Sequence, residues 1–329
     1  MQKLLRDGLF FWLFCALSTA WLLLLDFPFW TVDSTGFYNA AYGPGPVNNF
    51  SLTSLYFFVS LFYDYFIFHD VPFLFLRIQV YFVNSALMFL SLALIRKYFN
   101  MRSFDPLTLL FSLIFSGCFY EFNSYIGKES FILLFLSALL FIVRKMSQAN
   151  IGWFVMLIFF SVTIMLIGTV TRPYFIVYVV ALSFLLINFR LNFIFLLVLL
   201  SLVCFAFLSF WFSSNIFLSA KILLFTWAGI MFMPNPFSLN NWVTYLAPTL
   251  LNLIFLFTLC RFFVINPSFA LRVISAFLVL GTALAANTIY FNFYYGLDYL
   301  ATYITRLRYP FYFVVSYALF NRTFKVWSA

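Results

Sequence analysis

Three groups of basic residues stand at the starts of apolar stretches. Lys128 lies in YIGKESFILLFL, Arg172 in TVTRPYF, and Arg306 with Arg308 in YITRLRYPFYF. The prolines that follow Arg172 and Arg308 closely suit the first turn of a helix. A helix start presents unbonded backbone N–H groups and the positive end of the helix dipole. Because an arginine fork donates two parallel hydrogen bonds, these residues are predicted to bind a phosphate-like anion together.

Three other side chains could take a proton from a hydroxyl group. Asp33 lies in a polar loop rich in Gly and Pro, Glu129 follows Lys128, and His69 is the single histidine. Carboxylates and imidazoles act as general bases when they are placed beside the proton. Asp33 could equally be a turn residue and His69 a structural one, and Glu129 could simply hold Lys128.

Aromatic residues accompany these groups. Tyr38 and Tyr42 share the polar loop of Asp33, and Tyr174 lies in TRPYF beside the second basic group. Aromatic rings offer flat apolar faces on which sugar rings can stack. The three tyrosines are therefore candidate sugar-binding residues.

The composition tells where such a site must lie. Hydrophobic residues make up 65% of the chain, charged residues 8%, and the mean hydropathy is +1.05. A soluble domain of 329 residues could not cover itself with so few charges, so the chain is predicted to be an all-α polytopic membrane protein. The net charge of +9 is spread over the ends of apolar stretches, which is a topology signal rather than a nucleic-acid footprint.

About ten apolar stretches are long enough to be membrane-spanning helices. They cover residues 8–25, 74–95, 106–122, 129–143, 152–169, 173–189, 191–212, 245–262, 271–290 and 309–321. The first resembles a signal peptide but lacks a cleavage site, and we interpret it as an uncleaved span. Two further stretches, 51–68 and 214–233, are predicted to be interfacial or re-entrant helices on the outer face.

Positive charges predict the orientation, because loops on the cytoplasmic side are rich in Lys and Arg. With about ten spans, both termini and one set of basic residues fall inside the cell. That set is Lys3, Arg6, Arg96, Lys97, Arg102, Arg144, Lys145, Arg190, Arg261, Arg272, Arg322 and Lys325. If 51–68 and 214–233 were full spans, several of these residues would lie outside.

The chain is therefore predicted to form a single transmembrane domain, 1–329, with both termini on the cytoplasmic side. Its predicted outer loops are 26–73, 123–128, 170–172, 213–244 and 291–308. All the candidate site residues lie in these loops or beside them. Cations on the outer side oppose the usual orientation signal, so they need another reason.

Several motifs are absent from the sequence. It has no Gly-rich phosphate loop, HExxH or GxSxG motif, and its four cysteines lack metal or redox spacing. These absences argue against an ATP-driven pump and against a metalloprotease, and we expect no metal and no cofactor. The scattered charges likewise predict no nucleic-acid partner.

The chain resembles the bacterial O-antigen and capsular polysaccharide polymerases, the Wzy-like family. The resemblance rests on size, the number of spans, and the segments IGKESFILLFL, TRPYF and RLRYPFY in this order. It departs from larger members in lacking one very long periplasmic loop, for which 213–245 could be a short counterpart.

The resemblance implies a metal-independent glycosyltransferase of lipopolysaccharide or capsule biosynthesis in the bacterial inner membrane. Such an enzyme moves a glycan from undecaprenyl pyrophosphate onto a lipid-linked repeat unit at the periplasmic face. Lys128, Arg172, Arg306 and Arg308 would then bind the pyrophosphate, and Asp33, Glu129 or His69 would be the base. The expected partners are undecaprenyl-pyrophosphate-linked oligosaccharides, membrane lipids and a chain-length regulator.

Two alternatives stay open at this point. One is a lipid-linked glycosyltransferase of the multi-span (GT-C) class, which adds single sugars and often places a carboxylate in the first outer loop, as Asp33 is here. The other is a lipid or polysaccharide transporter, such as a flippase, which would move its substrate without changing its covalent structure.

Overall fold

The computed structural model describes residues 2–24, 57–68, 70–98, 127–146, 148–172, 174–186, 191–212, 215–232, 242–290 and 310–317. Within these ranges the chain forms helices joined by short turns and contains no strand, so the all-α prediction is confirmed there. The helices are α1 Gln2–Leu24, α2 Phe57–Phe66, α3 Phe73–Tyr98, α4 Glu129–Met146, α5 Ile151–Thr171, α6 Phe175–Leu186, α7 Leu191–Phe212, α8 Ile216–Phe232, α9 Trp242–Ile265 and α10 Pro267–Tyr290. Residues 310–317 are also helical, and we label them α11.

Five of these helices are long and apolar enough to cross a membrane. They lie at Arg6–Leu24, Phe73–Tyr98, Ile151–Thr171, Phe195–Phe212 and Pro267–Tyr290. An 18-residue helix already covers about 27 Å, close to the thickness of the hydrocarbon core. These helices indicate a multi-pass membrane protein. The count of about ten spans stays a prediction, because these helices match five of the predicted spans. The other five predicted spans either lie outside the described residues, as 106–122 does, or are not among these helices.

The chain divides into two compact units, Met1–Phe175 and Ile176–Ala329. In the first unit, α3 packs against α1 and α4, and α5 packs against α4. Phe11 and Phe14 of α1 contact Phe89, whereas Leu22 belongs to the buried cluster that contains Leu76. Thus α1 and α3 run in opposite directions.

In contrast, α3 and α4 run in the same direction. Tyr63 bonds to Asn84 of α3 and lies near Gly127, just before α4, while Lys97 at the end of α3 contacts Phe141 near the end of α4. The sequence predicted this, because two spans separated by one further span must cross the membrane in the same sense.

Short turns reverse the chain between helices. Asn150 caps α5, since its side-chain Oδ1 accepts a hydrogen bond from the backbone N–H of Trp153 at 3.0 Å. Asn266 caps α10 in the same way through Phe269, with Pro267 as the first helical residue. Asn266 alone separates α9 from α10, although the sequence predicted a longer connection there.

In the second unit, α10 packs against α7, α8 and α9. Trp227 of α8 donates a hydrogen bond to Thr282 at 3.1 Å and lies directly over Gly281, near the middle of α10. Since α10 is one of the five helices long and apolar enough to cross a membrane, α8 packs beside the middle of a candidate span. The prediction that 214–233 forms an interfacial or re-entrant helix stays a prediction.

The stretch 51–68 contains α2, a helix of 10 residues. Such a helix is about 15 Å long, half of what a span requires. Phe62 and Tyr63 pack their rings on Phe131 at the start of α4. Therefore α2 lies against the bundle at the end where α4 begins.

Candidate functional site

The site begins at the turn that starts α4. Glu129 is the first helical residue, and its carboxylate there interacts favourably with the positive end of the helix dipole. Its Oε2 accepts a hydrogen bond from the backbone N–H of Lys128 at 3.1 Å. The Lys128 side chain is half-buried, whereas Glu129 is fully buried. The local sequence thus fixes the carboxylate at the helix start.

The end of α5 supplies the partner of this carboxylate. Arg172 closes α5 with an extended backbone, φ −151° and ψ 113°, because Pro173 follows it and the residue before a proline disfavours helical angles. Its backbone N–H still donates to Gly168 O at 2.8 Å, and its carbonyl accepts from Phe175 N at 2.9 Å. The turn therefore holds the backbone of Arg172 from both sides.

A buried ion pair joins the two helices. Nη2 of Arg172 lies 2.6 Å from Oε1 of Glu129, and the two side chains are 3% and 0% exposed. Removing two charges from water costs several kcal/mol per ion, and a short charge-assisted contact offsets this cost only when further hydrogen bonds satisfy both groups. The backbone of Lys128 supplies one such bond to Glu129.

A second buried polar contact lies next to this pair. The Tyr63 hydroxyl donates to Asn84 Oδ1 at 2.8 Å and also lies 3.4 Å from the carbonyl oxygen of Gly127. Tyr63 and Asn84 are almost completely buried. They connect α2 and α3 to the residue that precedes Lys128. Buried polar groups inside a membrane bundle are expensive unless they are paired.

Arg77 adds a cation near the start of α3. Its Nε donates to the Tyr81 hydroxyl at 3.0 Å, and its guanidinium lies 5.9 Å and 5.6 Å from the ring centres of Phe73 and Tyr81. The aromatic faces stabilise the positive charge. Phe73 and Tyr81 lie four residues before and after Arg77 on the same helix, the spacing that brings side chains together.

The structure brings together three of the predicted site residues: Lys128, Glu129 and Arg172. Tyr174 lies two residues beyond Arg172 and is half-buried. The other candidates, Asp33, His69, Tyr38, Tyr42, Arg306 and Arg308, lie outside the described residues. Their predicted roles are therefore untested by this geometry.

The ion pair gives Glu129 a role that differs from both roles predicted for it, a base and the partner that holds Lys128. Both of its carboxylate oxygens accept a hydrogen bond, one from Arg172 and one from the Lys128 backbone. A general base needs an oxygen that can reach the proton of the substrate. The geometry accordingly favours Glu129 as the residue that positions Arg172 over Glu129 as the base.

Tyr63 and Asn84 were missed by the sequence reasoning. A signal for Asn84 was present, since it is an amide inside the apolar stretch 74–95 and such residues usually have partners or functions. Tyr63 gave no signal, because tyrosine is common throughout this chain.

Among the described residues, no three His, Cys, Asp or Glu side chains form a group that could hold a metal ion. Searches against protein-family models, curated proteins and solved structures find no significant match to this chain. The function must therefore be argued from the residues and their geometry.

Proposed function

We propose that this chain is a polysaccharide polymerase of the bacterial inner membrane. It would transfer a growing glycan from undecaprenyl pyrophosphate onto the sugar hydroxyl of a second lipid-linked repeat unit. In the proposed ten-span topology, Lys128, Glu129 and Arg172 face the periplasm. The observation that carries the proposal is the ion pair of 2.6 Å between Glu129 and Arg172, beside the start of α4.

The pair supports an anion site in the following way. A pyrophosphate carries more negative charge than a single carboxylate and offers several oxygens to an arginine fork. Glu129 fixes the position of Arg172, and the half-buried Lys128 adjoins the same helix start. Charges that are positioned before the reaction stabilise a leaving group without reorganisation. The proposed leaving group is the pyrophosphate of the donor lipid.

The proposed reaction exchanges one bond for another. The acceptor hydroxyl oxygen bonds to the anomeric carbon of the donor glycan, and the bond from that carbon to the pyrophosphate oxygen breaks. The hydroxyl proton passes to a base, for which Asp33 and His69 are the proposed candidates. Undecaprenyl pyrophosphate leaves with the electron pair, and its negative charge is stabilised by Arg172 and Lys128.

The experiment that tests the proposal is a gel of lipid-linked glycans from cells with and without this chain. Polymerisation predicts a ladder of repeats that collapses to a single repeat on deletion. Arg172→Ala and Arg306→Ala should each abolish the ladder while the protein remains in the membrane. Lys221→Gln is the control, since it removes an exposed cation that belongs to none of the proposed sites.

The other outcomes identify the alternatives. A repeat unit shortened by one sugar would indicate a glycosyltransferase that adds single sugars. An unchanged lipid-linked glycan that accumulates on the cytoplasmic side would indicate a transporter. A normal ladder from Arg172→Ala cells would remove Arg172 from the proposed site.

A further inference from the structure

The far ends of α3 and α4 carry a second cluster of cations. Each helix closes on an arginine and a lysine, Arg96 with Lys97 and Arg144 with Lys145. Nζ of Lys97 and Nζ of Lys145 each lie 5.7 Å from the ring centre of Phe141. Because both distances are measured to one point, the two ammonium groups are at most about 11 Å apart.

Both lysines are exposed, and neither forms an ion pair with any residue in the described part of the chain. The acidic residue described in the first unit at this end is Asp7, whose Oδ1 lies 4.0 Å from Nε of the adjacent Arg6. The negative ends of the two helix dipoles balance only part of the positive charge. The cluster keeps an excess of positive charge.

The ring of Phe141 also determines where along the helices the ammonium groups of the two lysines lie. Phe141 lies one helical turn before Lys145, so the Lys145 side chain folds back along α4 rather than extending beyond the helix end. Lys97 reaches the same ring from α3. The Lys145 ammonium group thus lies inward of the end of α4, and Lys97 shares its aromatic contact. Lysines at the ends of spanning helices reach the lipid headgroups in this way.

We propose that Lys97 and Lys145 bind the phosphate of an anionic phospholipid at this end of the first unit. A phosphodiester between them would meet two ammonium groups held by one aromatic ring, while its acyl chains follow the apolar helices. Basic groups beside a membrane attract anionic lipids by about 1 kcal/mol each, or about fivefold in affinity per charge. The inference is independent of the proposed reaction.

Native mass spectrometry of the full chain in detergent tests the proposal, with phosphatidylglycerol, phosphatidylcholine and inorganic phosphate as separate probes. The original chain should bind phosphatidylglycerol in preference to phosphatidylcholine. Lys97→Gln combined with Lys145→Gln should weaken this binding about 30-fold, since two charges are lost. Lys97→Arg with Lys145→Arg should keep it, because the charge and the contact with the ring remain possible.

Lys221→Gln is the control, because Lys221 is an exposed lysine on the apolar helix α8. It should leave phosphatidylglycerol binding unchanged. Equal phosphatidylglycerol binding by the double glutamine variant and the original chain would overturn the proposal. So would equal binding of the two lipids, or inorganic phosphate bound as tightly as phosphatidylglycerol. A thermal scan without lipid checks that the variants are folded.

Discussion

Arg172 and Glu129 lie 43 residues apart in the sequence, yet their side chains meet at 2.6 Å in the interior of the first unit. One ends α5 and the other begins α4, so the ion pair joins the two helices where the chain has no direct connection. It also sets the position of the guanidinium relative to the start of α4. Both the stability and the proposed chemistry of this unit should depend on it.

Replacing one partner of the ion pair should destabilise the protein more than replacing both partners together. Glu129→Leu or Arg172→Met leaves an uncompensated buried charge and should reduce the free energy of unfolding by about 3–5 kcal/mol. The double variant replaces both charges by apolar groups and should lose less than the two single losses combined. Unfolding in mixed micelles measures these values. Lys221→Met replaces an exposed lysine and should change the free energy of unfolding little. If the losses of the two single variants simply add in the double variant, the two residues are not coupled.

Replacing Arg172 by lysine separates charge from geometry. Arg172→Lys retains one positive charge but loses the planar fork that can bond a carboxylate and a phosphate together. We expect the polymerisation rate to fall about 100-fold, the effect of losing one positioned donor in other active sites. The rate of ladder formation in isolated membranes measures this. Chains of normal length at a normal rate would show that Arg172 serves only the fold.

The sequence predicted the parts of this site that follow from local rules. Pro173 ends α5 at Arg172, and the distribution of basic residues places Lys128, Glu129 and Arg172 at one end of the bundle. The pairing itself could not be predicted. In a membrane helix both the lipid-facing and the protein-facing sides are apolar, so periodicity does not show which side faces a neighbour.

The lack of a periodicity signal in membrane helices also explains the other contacts that the sequence did not predict. The contact between Tyr63 and Asn84 depends on how α2 and α3 are rotated, and nothing local determines that rotation. The packing of α8 beside α10 follows from the fit of Trp227 over Gly281, which is a tertiary contact. The sequence predicts a longer connection at Asn266, between spans 245–262 and 271–290, because Arg261 and Arg272 are polar residues expected outside the apolar layer, whereas both belong to the helices α9 and α10.

Tyr63→Phe should test the polar contact next to the ion pair. It removes the hydroxyl that bonds to Asn84 at 2.8 Å and leaves the ring in place. We expect a loss of about 1–2 kcal/mol, because Asn84 loses a buried hydrogen-bond partner. In the Tyr63→Phe variant, the additional change Asn84→Leu should reduce the free energy of unfolding less than Asn84→Leu does in the original chain. Tyr65→Phe is the matched control, since Tyr65 is exposed on the same helix. An equal loss of stability in Tyr65→Phe would show that the loss in Tyr63→Phe does not come from the bond to Asn84.

Cysteine labelling tests the proposed topology. Asp70, just before α3, and Gln148, just after α4, are both exposed and lie at opposite ends of the first unit. In a chain whose native cysteines are replaced, Asp70→Cys should react with an impermeant thiol reagent added to intact spheroplasts. Gln148→Cys should react only after the membrane is opened. The reverse pattern would place Lys128 and Arg172 on the cytoplasmic side and exclude a periplasmic reaction.

Gly168 controls the turn that carries Arg172. A Cβ at this position would lie 2.5 Å from Cδ1 and Cε1 of the Phe175 ring, a contact that no side chain tolerates without movement. Phe175 is fully buried, so the ring has no free space and the turn between them must shift. Gly168→Ala should therefore destabilise the protein by about 1–3 kcal/mol and displace Arg172 from Glu129.

Two further variants separate this effect from helix propensity. Gly8→Ala changes a glycine of α1 whose added Cβ would meet nothing within 4 Å, so it should be neutral or slightly stabilising. Phe175→Leu provides a smaller side chain at the contact. In that variant, Gly168→Ala should reduce the stability less than it does in the original chain. Thermal unfolding of the four variants gives the comparison. If Gly168→Ala is as mild as Gly8→Ala, the ring of Phe175 does not fix the turn, and the position of Arg172 depends on Glu129 alone.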